Sequence, residues 1–181
     1  MRIHPQRLTK QMADRGATPE SLAPALARKG LSRERAESAI RNWMKGRDHP
    51  RCKPEDIRAL AGQLGCSVPD LVRFVSVYKY HRGSPRKARL LADLIRGKSV
   101  VEAENLLTFT PKRAAVDVKK ALVAARTDAE LADADVGSLV VAISTVDEGP
   151  VMKRFQPKDR GRAHPILKKM SHITIGLEEK A

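Results

Sequence analysis

Seven Lys and Arg fall between residues 150 and 170, against one acid, Asp159. A guanidinium forks onto two phosphate oxygens or stacks on an exposed base, and an ammonium supplies a point charge, so the chemistry open to this stretch is phosphate neutralisation. A second basic run, residues 78–99, holds seven Lys and Arg against Asp93 alone, while residues 127–148 hold six acids and no Lys or Arg. A merely solvated surface intersperses its signs, so this segregation points to two basic stretches meeting one anionic surface. The plainer alternative for residues 150–170 is a flexible solvated loop.

No spacing supports catalysis. Gly97-Lys98-Ser99 ends like a phosphate-binding loop, but Ala92 occupies the place of the first glycine, and the run reads as a helix stop followed by a cap. Adjacent Asp147 and Glu148 point to opposite faces of a strand and make no acid–base pair. His172 sits among alternating apolar residues with no second ligand nearby. Cys52 and Cys66 stand 14 apart with no CxxC and no clustered histidine, which excludes a disulfide framework and an obvious zinc site and suits a reducing cytoplasm. We expect no enzyme, no catalytic or metal-binding residue, no cofactor and no small-molecule substrate.

Composition agrees with a polyanionic partner. The 181 residues carry 35 Lys and Arg against 21 Asp and Glu, a net charge of +14, and aromatics make up only 3%. No apolar run approaches the roughly 20 residues that span a bilayer, and neither a signal nor a transit peptide is expected at the N-terminus.

The elements that must position these cations divide at about residue 74. Residues 1–74 read as an all-helical module. Leu8 and Met12 share a face; Thr18-Pro19 caps a helix through Leu22 and Leu26 closed by Gly30; Ser32 opens one through Ile40, Trp43 and Met44 to Gly46. Pro54 starts another, with Ile57, Leu60, Ala61 and Leu64 on one stripe and Gly65 as its C-cap. Ser67 to Asp70 begins a last turn carrying Leu71 and Phe74.

Residues 75–181 read as α+β, three helices packed on a small antiparallel sheet. Val75 and Val77 begin a strand that runs into Tyr80-His81-Arg82-Gly83. Ser84-Pro85 caps a helix on Ala88, Leu91, Ala92 and Ile95. Ser99 and Glu102 have capping-box spacing. Thr110-Pro111 starts a third helix, buried through Ala114, Val118, Leu122 and Ala125. Two runs then alternate: Leu139, Val141, Ile143 and Thr145 on one face of a strand, and later Ile173, Ile175 and Leu177. The basic stretch at about 150–170 between them is too long for a tight turn and reads as a protruding β-hairpin. A ten-residue arm would reach about 33 Å at roughly 3.3 Å per residue. Ordering it costs on the order of 20 kcal/mol in backbone entropy, which its few apolar residues cannot offset.

Residues 75–181 resemble the bacterial large-subunit ribosomal proteins of the L twenty-two family, of the universal uL type. The matching residues are Ser84-Pro85-Arg86-Lys87-Ala88-Arg89-Leu90-Leu91-Ala92-Asp93-Leu94-Ile95-Arg96-Gly97-Lys98, Ala114-Ala115-Val116 with Val118-Lys119-Lys120, and Val146-Asp147-Glu148-Gly149-Pro150. Met152-Lys153-Arg154, Gly161-Arg162-Ala163 and Ser171-His172-Ile173-Thr174-Ile175 complete the set. The resemblance implies an RNA-binding structural constituent of the cytoplasmic bacterial ribosome, with ribosomal RNA and neighbouring ribosomal proteins as partners and no membrane. Its hairpin would line the nascent-peptide exit tunnel and touch the nascent peptide. Carried over by position, the RNA-binding residues are Lys79, His81, Arg82, Ser84, Lys87, Arg89, Lys153, Arg154, Gln156, Lys158, Arg160, Arg162, Lys168 and Lys169. The tunnel-lining residues are Met152, Lys153, Arg154, Lys158, Arg160, Gly161 and Arg162. Lys158-Asp159 departs from the Arg and small residue common in the family, which alters the charge of the tip.

Residues 7–74 resemble a Cro-type helix-turn-helix module in the spacing of Thr18, Leu22, Ala23, Leu26, Gly30, Ser32, Ile40, Trp43 and Gly46. Such modules place their second motif helix in the DNA major groove. The turn at 27–29 and the helix after it are longer than usual, and Pro24 lies inside the first motif helix. Arg33, Arg35, Arg41 and Lys45 are the extension's candidate contacts to nucleic acid, and Trp43 is read as core. The leading expectation is a large-subunit constituent that aids assembly and shapes the exit tunnel; the rival is a DNA-binding regulator with a basic accessory domain.

Overall fold

The computed structural model describes residues 1–26 and 31–180. The expected turn at 27–29 and the stop at Gly30 lie outside them. Two compact units divide the chain: Met1–Phe74 with Asp128–Asp135, and Val75–Thr127 with Val136–Lys180.

In the first unit, β1 (Arg2–Ile3) pairs antiparallel with residues 72–73, and four helices follow: α1 (Pro5–Asp14), α2 (Pro19–Leu26), α3 (Arg33–Met44) and α4 (Pro54–Leu64). Their starts are set by local chemistry. Thr18 and Ser21 cap α2 reciprocally, each side-chain oxygen accepting from the other's N–H at 3.1–3.3 Å. Lys53 N–H donates to Asp56 Oδ2 at 2.9 Å at the head of α4, and Gly65, at φ +59°, ends that helix in the left-handed region. Leu8, Ile40, Ile57 and Leu60 are fully buried, each worth about 1.5–3 kcal/mol by transfer.

One expectation fails at the end of this unit. Phe74 belongs to a strand, β2 (Val72–His81), and not to a last helical turn. The Asp70 carboxylate accepts from both Ser67 N–H (3.0 Å) and Ser67 Oγ (2.6 Å) and closes the turn early. Ile3 then pairs with Val72 and draws the backbone into an extended ladder.

The second unit sets three helices, α5 (Pro85–Ile95), α6 (Val100–Phe109) and α7 (Ala114–Glu130), with an antiparallel sheet in which β6 (Ser171–Glu179) lies between β2 and β3 (Leu139–Glu148). Leu91, Ile95, Leu122, Leu139, Ile173 and Ile175 form its buried centre. The third helix begins at Ala114, later than Thr110-Pro111 suggested. Thr110 Oγ1 bonds back to Leu106 O at 2.6 Å, so these residues finish α6. Ala114 is accordingly half-buried, and Ala115 takes the core position. The expected box at Ser99 is half made: Ser99 Oγ accepts from Glu102 N–H at 3.3 Å, but the Glu102 carboxylate pairs with Lys98 Nζ at 2.6 Å.

The alternation expected along β3 also breaks. Leu139 and Val141 are buried, but a register shift between Val141 and Ile143 then turns Ser144 and Val146 inward in place of Ile143 and Thr145. The bulge sits where a third segment bonds: Gly97 N–H donates to Val141 O at 2.8 Å and Val141 N–H to Lys98 O at 2.9 Å. Arg96 reaches Ser144 O at 2.6 Å. The inward Ser144 Oγ has no hydrogen-bond partner among the described residues.

Between β3 and β6 stands a two-stranded ribbon, β4 (Met152–Pro157) and β5 (Ala163–Lys168), paired from Met152↔Lys168 to Pro157↔Ala163. It continues the β3–β6 pairing, which ends at Glu148↔Ser171. Residues 149–151 on the outgoing side therefore face only 169–170 on the return, one residue extra.

Candidate nucleic-acid interface

The strand-to-helix passage from β2 into α5 is tightly built. Tyr80 adopts a left-handed φ of +59°, its N–H donates to His172 Nδ1 at 3.1 Å, and the two rings meet edge-on with centroids 5.0 Å apart. His81 is 5% exposed, with Nδ1 2.8 Å from Asp117 Oδ2 on α7. Its opposite edge packs against Gly83, where a Cβ would lie 2.2 Å from Nε2. His172 and His81 are thus packing residues that shape the loop. His81, carried over as a group touching RNA, is largely withdrawn from solvent. Arg82 and Lys87 are exposed around it, with Ser84 half-buried.

Two cavities flank this loop and share Arg82, Gly83 and Ser84. The first, of about 550 Å³, is walled by Lys87 and Leu90 of α5 and by Lys112, Arg113 and Ala114 at the start of α7. The second, of about 570 Å³, opens toward the ribbon's root at Met152, Arg154, Leu167, Lys168 and Lys169. Arg82, Ser84, Lys87, Arg154, Lys168 and Lys169 are therefore brought together. Lys79 is exposed on β2, and Arg89 is tied to the sheet through Nε to Val146 O at 3.2 Å.

Lys112 and Arg113 escaped the sequence reading, although their position carried a signal. A helix N-terminus bears partial positive charge and favours acids. Yet α5 has no acid in its first turn and places Arg86 and Lys87 there, and α7 is preceded directly by Lys112-Arg113. The one acid in the first turn of α7, Asp117, is engaged by His81 and, at 3.5 Å, by Lys120. Two positive helix ends thus sit beside cations around one cavity. Such unfavourable placement is relieved by a bound anion, and phosphate fits backbone N–H groups and Arg alike.

The ribbon is sorted by face. Because strand side chains alternate, Met152, Arg154 and Gln156 share a face with His164, Ile166 and Lys168, while Lys153, Phe155 and Pro157 share the other with Ala163, Pro165 and Leu167. One face is mainly cationic and hydrogen-bonding; the other offers Phe155, 74% exposed, and Leu167, 55% exposed. At the tip, Lys158 N–H donates to Arg162 O at 2.7 Å. Arg160 and Gly161 take left-handed φ values of +53° and +73°. Gly161 accepts this without a Cβ clash, whereas for Arg160 it costs about 1–2 kcal/mol. Lys158, Arg160 and Arg162 are all exposed there.

In the first unit, Arg33, Arg35 and Lys45 are exposed. Arg41, also exposed, is paired with Glu37 and, at 3.7 Å, with Glu20. Among the described residues no group of His, Cys, Asp and Glu could hold a metal ion, and no helix is long and apolar enough to cross a membrane.

The family model for ribosomal protein L22p/L17e matches residues 76–178, more than half of the chain. The match supports the ribosomal reading and lends none to the regulator reading.

Proposed function

The chain belongs to the ribosomal protein L22p/L17e family, and on that premise we propose that its ribbon threads between RNA segments to line the nascent-peptide exit tunnel of a bacterial ribosome. Members of the family are structural constituents of the large ribosomal subunit that bind ribosomal RNA, and this chain is one. The observation that carries the finer reading is the ribbon itself, twelve paired residues of which all but Met152 and Ile166 are exposed. An isolated two-stranded ribbon is marginal in water. This one has a cationic face for phosphates and an apolar face on which unstacked bases can lie. Surrounding RNA would supply the burial it lacks.

In this reading the two cavities beside Arg82–Ser84 hold phosphates of the RNA that the body binds, with Lys112 and Arg113 added to the expected set. Holding RNA segments together by neutralisation and shape would aid subunit assembly. The tip, Lys158 to Arg162, would meet the nascent peptide, with the Asp159 carboxylate among its cations.

The test separates tip from body. Large subunits carrying Lys158→Ala, Arg160→Ala and Arg162→Ala together should retain the protein at wild-type stoichiometry but change tunnel-dependent behaviour, read as macrolide response or nascent-chain stalling. Exclusion of the triple variant from subunits, as complete as for a variant disrupted in the body, would reject this division of labour.

A further inference from the structure

The loop that follows α3, residues 45–53, holds Lys45, Arg47, Arg51 and Lys53 against one acid, Asp48. It lies outside the stretch matched by the family model. All four cations are exposed, and among the described residues none is in an ion pair. Asp48 is exposed as well, but its Oδ1 is engaged, accepting from Cys52 N–H at 3.1 Å. The backbone between the cations is braced from the core. Trp43, 2% exposed, donates from Nε1 to Pro50 O at 2.8 Å, and Asn42 Nδ2 donates to His49 O at 2.8 Å. The N–H groups of Gly46 and Arg47 close on Trp43 O and Asn42 O at 3.0 and 2.9 Å. Cys52, 6% exposed, anchors the far end.

We propose that this braced loop grips the phosphate backbone of large-subunit ribosomal RNA. Three features converge. The exposed side chains are four cations against the single carboxylate of Asp48, which already holds the Cys52 N–H, so a polyanion meets a net positive surface. The backbone that carries them is already fixed, so less freedom is lost on binding than with a flexible basic tail. Arg41, on the helix that a reader of base edges would insert into a groove, is instead neutralised by Glu37 and Glu20. That combination suits contacts that position a nucleic acid without reading its sequence. The choice of RNA rests on the family assignment, which places this chain among ribosomal RNA binders.

The full chain, wild type and Lys45→Ala/Arg47→Ala/Arg51→Ala, should be titrated against purified large-subunit RNA over a range of salt. Every phosphate that a variant no longer neutralises lowers the log–log salt slope by about 0.7–0.9, so the triple variant should lose about 2–3 units. Lys10→Ala, an exposed cation on α1, should leave the slope unchanged, and Arg47→Lys/Arg51→Lys should keep it. If the triple variant does not fold, Arg47→Ala and Arg51→Ala singly should each lose about one unit. Absence of RNA binding by the wild type would refute the ribosomal reading itself. Wild-type binding with a slope indifferent to the loop substitutions would refute only the loop's role. Weakening confined to random-sequence duplex DNA would assign the loop to DNA and overturn the proposal.

Discussion

The His81 ring occupies the space into which any side chain at position 83 would project: a Cβ on Gly83 would fall 2.2 Å from Nε2. The far edge of the same ring holds Asp117 at 2.8 Å. Gly83 is therefore needed for close approach, with His81 as a wedge between the loop and α7.

Gly83→Ala should force that ring off Asp117. Losing a buried hydrogen bond of this kind costs about 1–3 kcal/mol, so the denaturant midpoint should drop accordingly without a change in the slope of the transition. RNA affinity should fall with it, because the displaced loop carries Arg82 and Ser84. An unchanged midpoint would mean that the loop relaxes freely around the new methyl.

Lys112→Ala/Arg113→Ala should act in opposite directions on folding and binding. Removing cations from the positive end of α7 relieves repulsion, so thermal stability should hold or rise by a few tenths of a kcal/mol. Affinity for ribosomal RNA should fall, and the salt slope with it by about 0.7–0.9 for each phosphate released. A variant that loses stability and keeps its affinity would show the pair to be structural.

Ser144→Ala should stabilise the fold. The bulge in β3 turns this side chain inward, and its hydroxyl finds no partner among the described residues; an unsatisfied buried hydroxyl costs about 1–3 kcal/mol. Arg96 bonds to the backbone carbonyl of Ser144 and keeps its acceptor. Chemical unfolding of the two proteins decides the matter, and a less stable variant would mean that the hydroxyl is satisfied in solution.

Cys66 gives a pH signature. Burial pushes its thiol above the ordinary value of 9.0, and Arg15 pulls only partly the other way. Folded protein thus holds this proton more tightly than unfolded chain. The associated stability is fully present below the unfolded thiol's pKa and is lost as pH climbs through the folded one. Alkylation of Cys66 followed against pH should inflect higher in native protein than in guanidinium; coincident curves would contradict the burial effect.

Much of the scaffold was legible because its signals are local. Thr18-Pro19, Pro54 and Ser84-Pro85 stand at helix starts, and Gly65 ends α4, since these signals act within a turn; at Ser84 the start rests on Pro85, the serine making no side-chain cap bond. What escaped depends on partners far along the chain. The bulge beyond Val141 involves bonding to Gly97 and Lys98, and the strand at Phe74 involves β1. No period within either segment encodes those bonds. The interface divides in the same way. The cations of the ribbon stood out as a run, whereas Lys112 and Arg113 join Arg82 and Lys87 only through the fold. His81 looked like a surface group because its partner Asp117 lies 36 residues away.

The unpaired residue where the ribbon leaves the body has a geometric effect along its whole length. Three residues, 149–151, oppose two, 169–170, between the pairs Glu148↔Ser171 and Met152↔Lys168. Such an extra residue bends the strand that carries it and increases its local twist. Removing one of the three would leave two opposite two, keep Lys168 beside Met152 and take away the bend. A deletion at this joint therefore re-aims the arm as a unit while every side chain keeps its face, so a small change at the root is carried, as by a lever, to the displacement of Lys158 to Arg162.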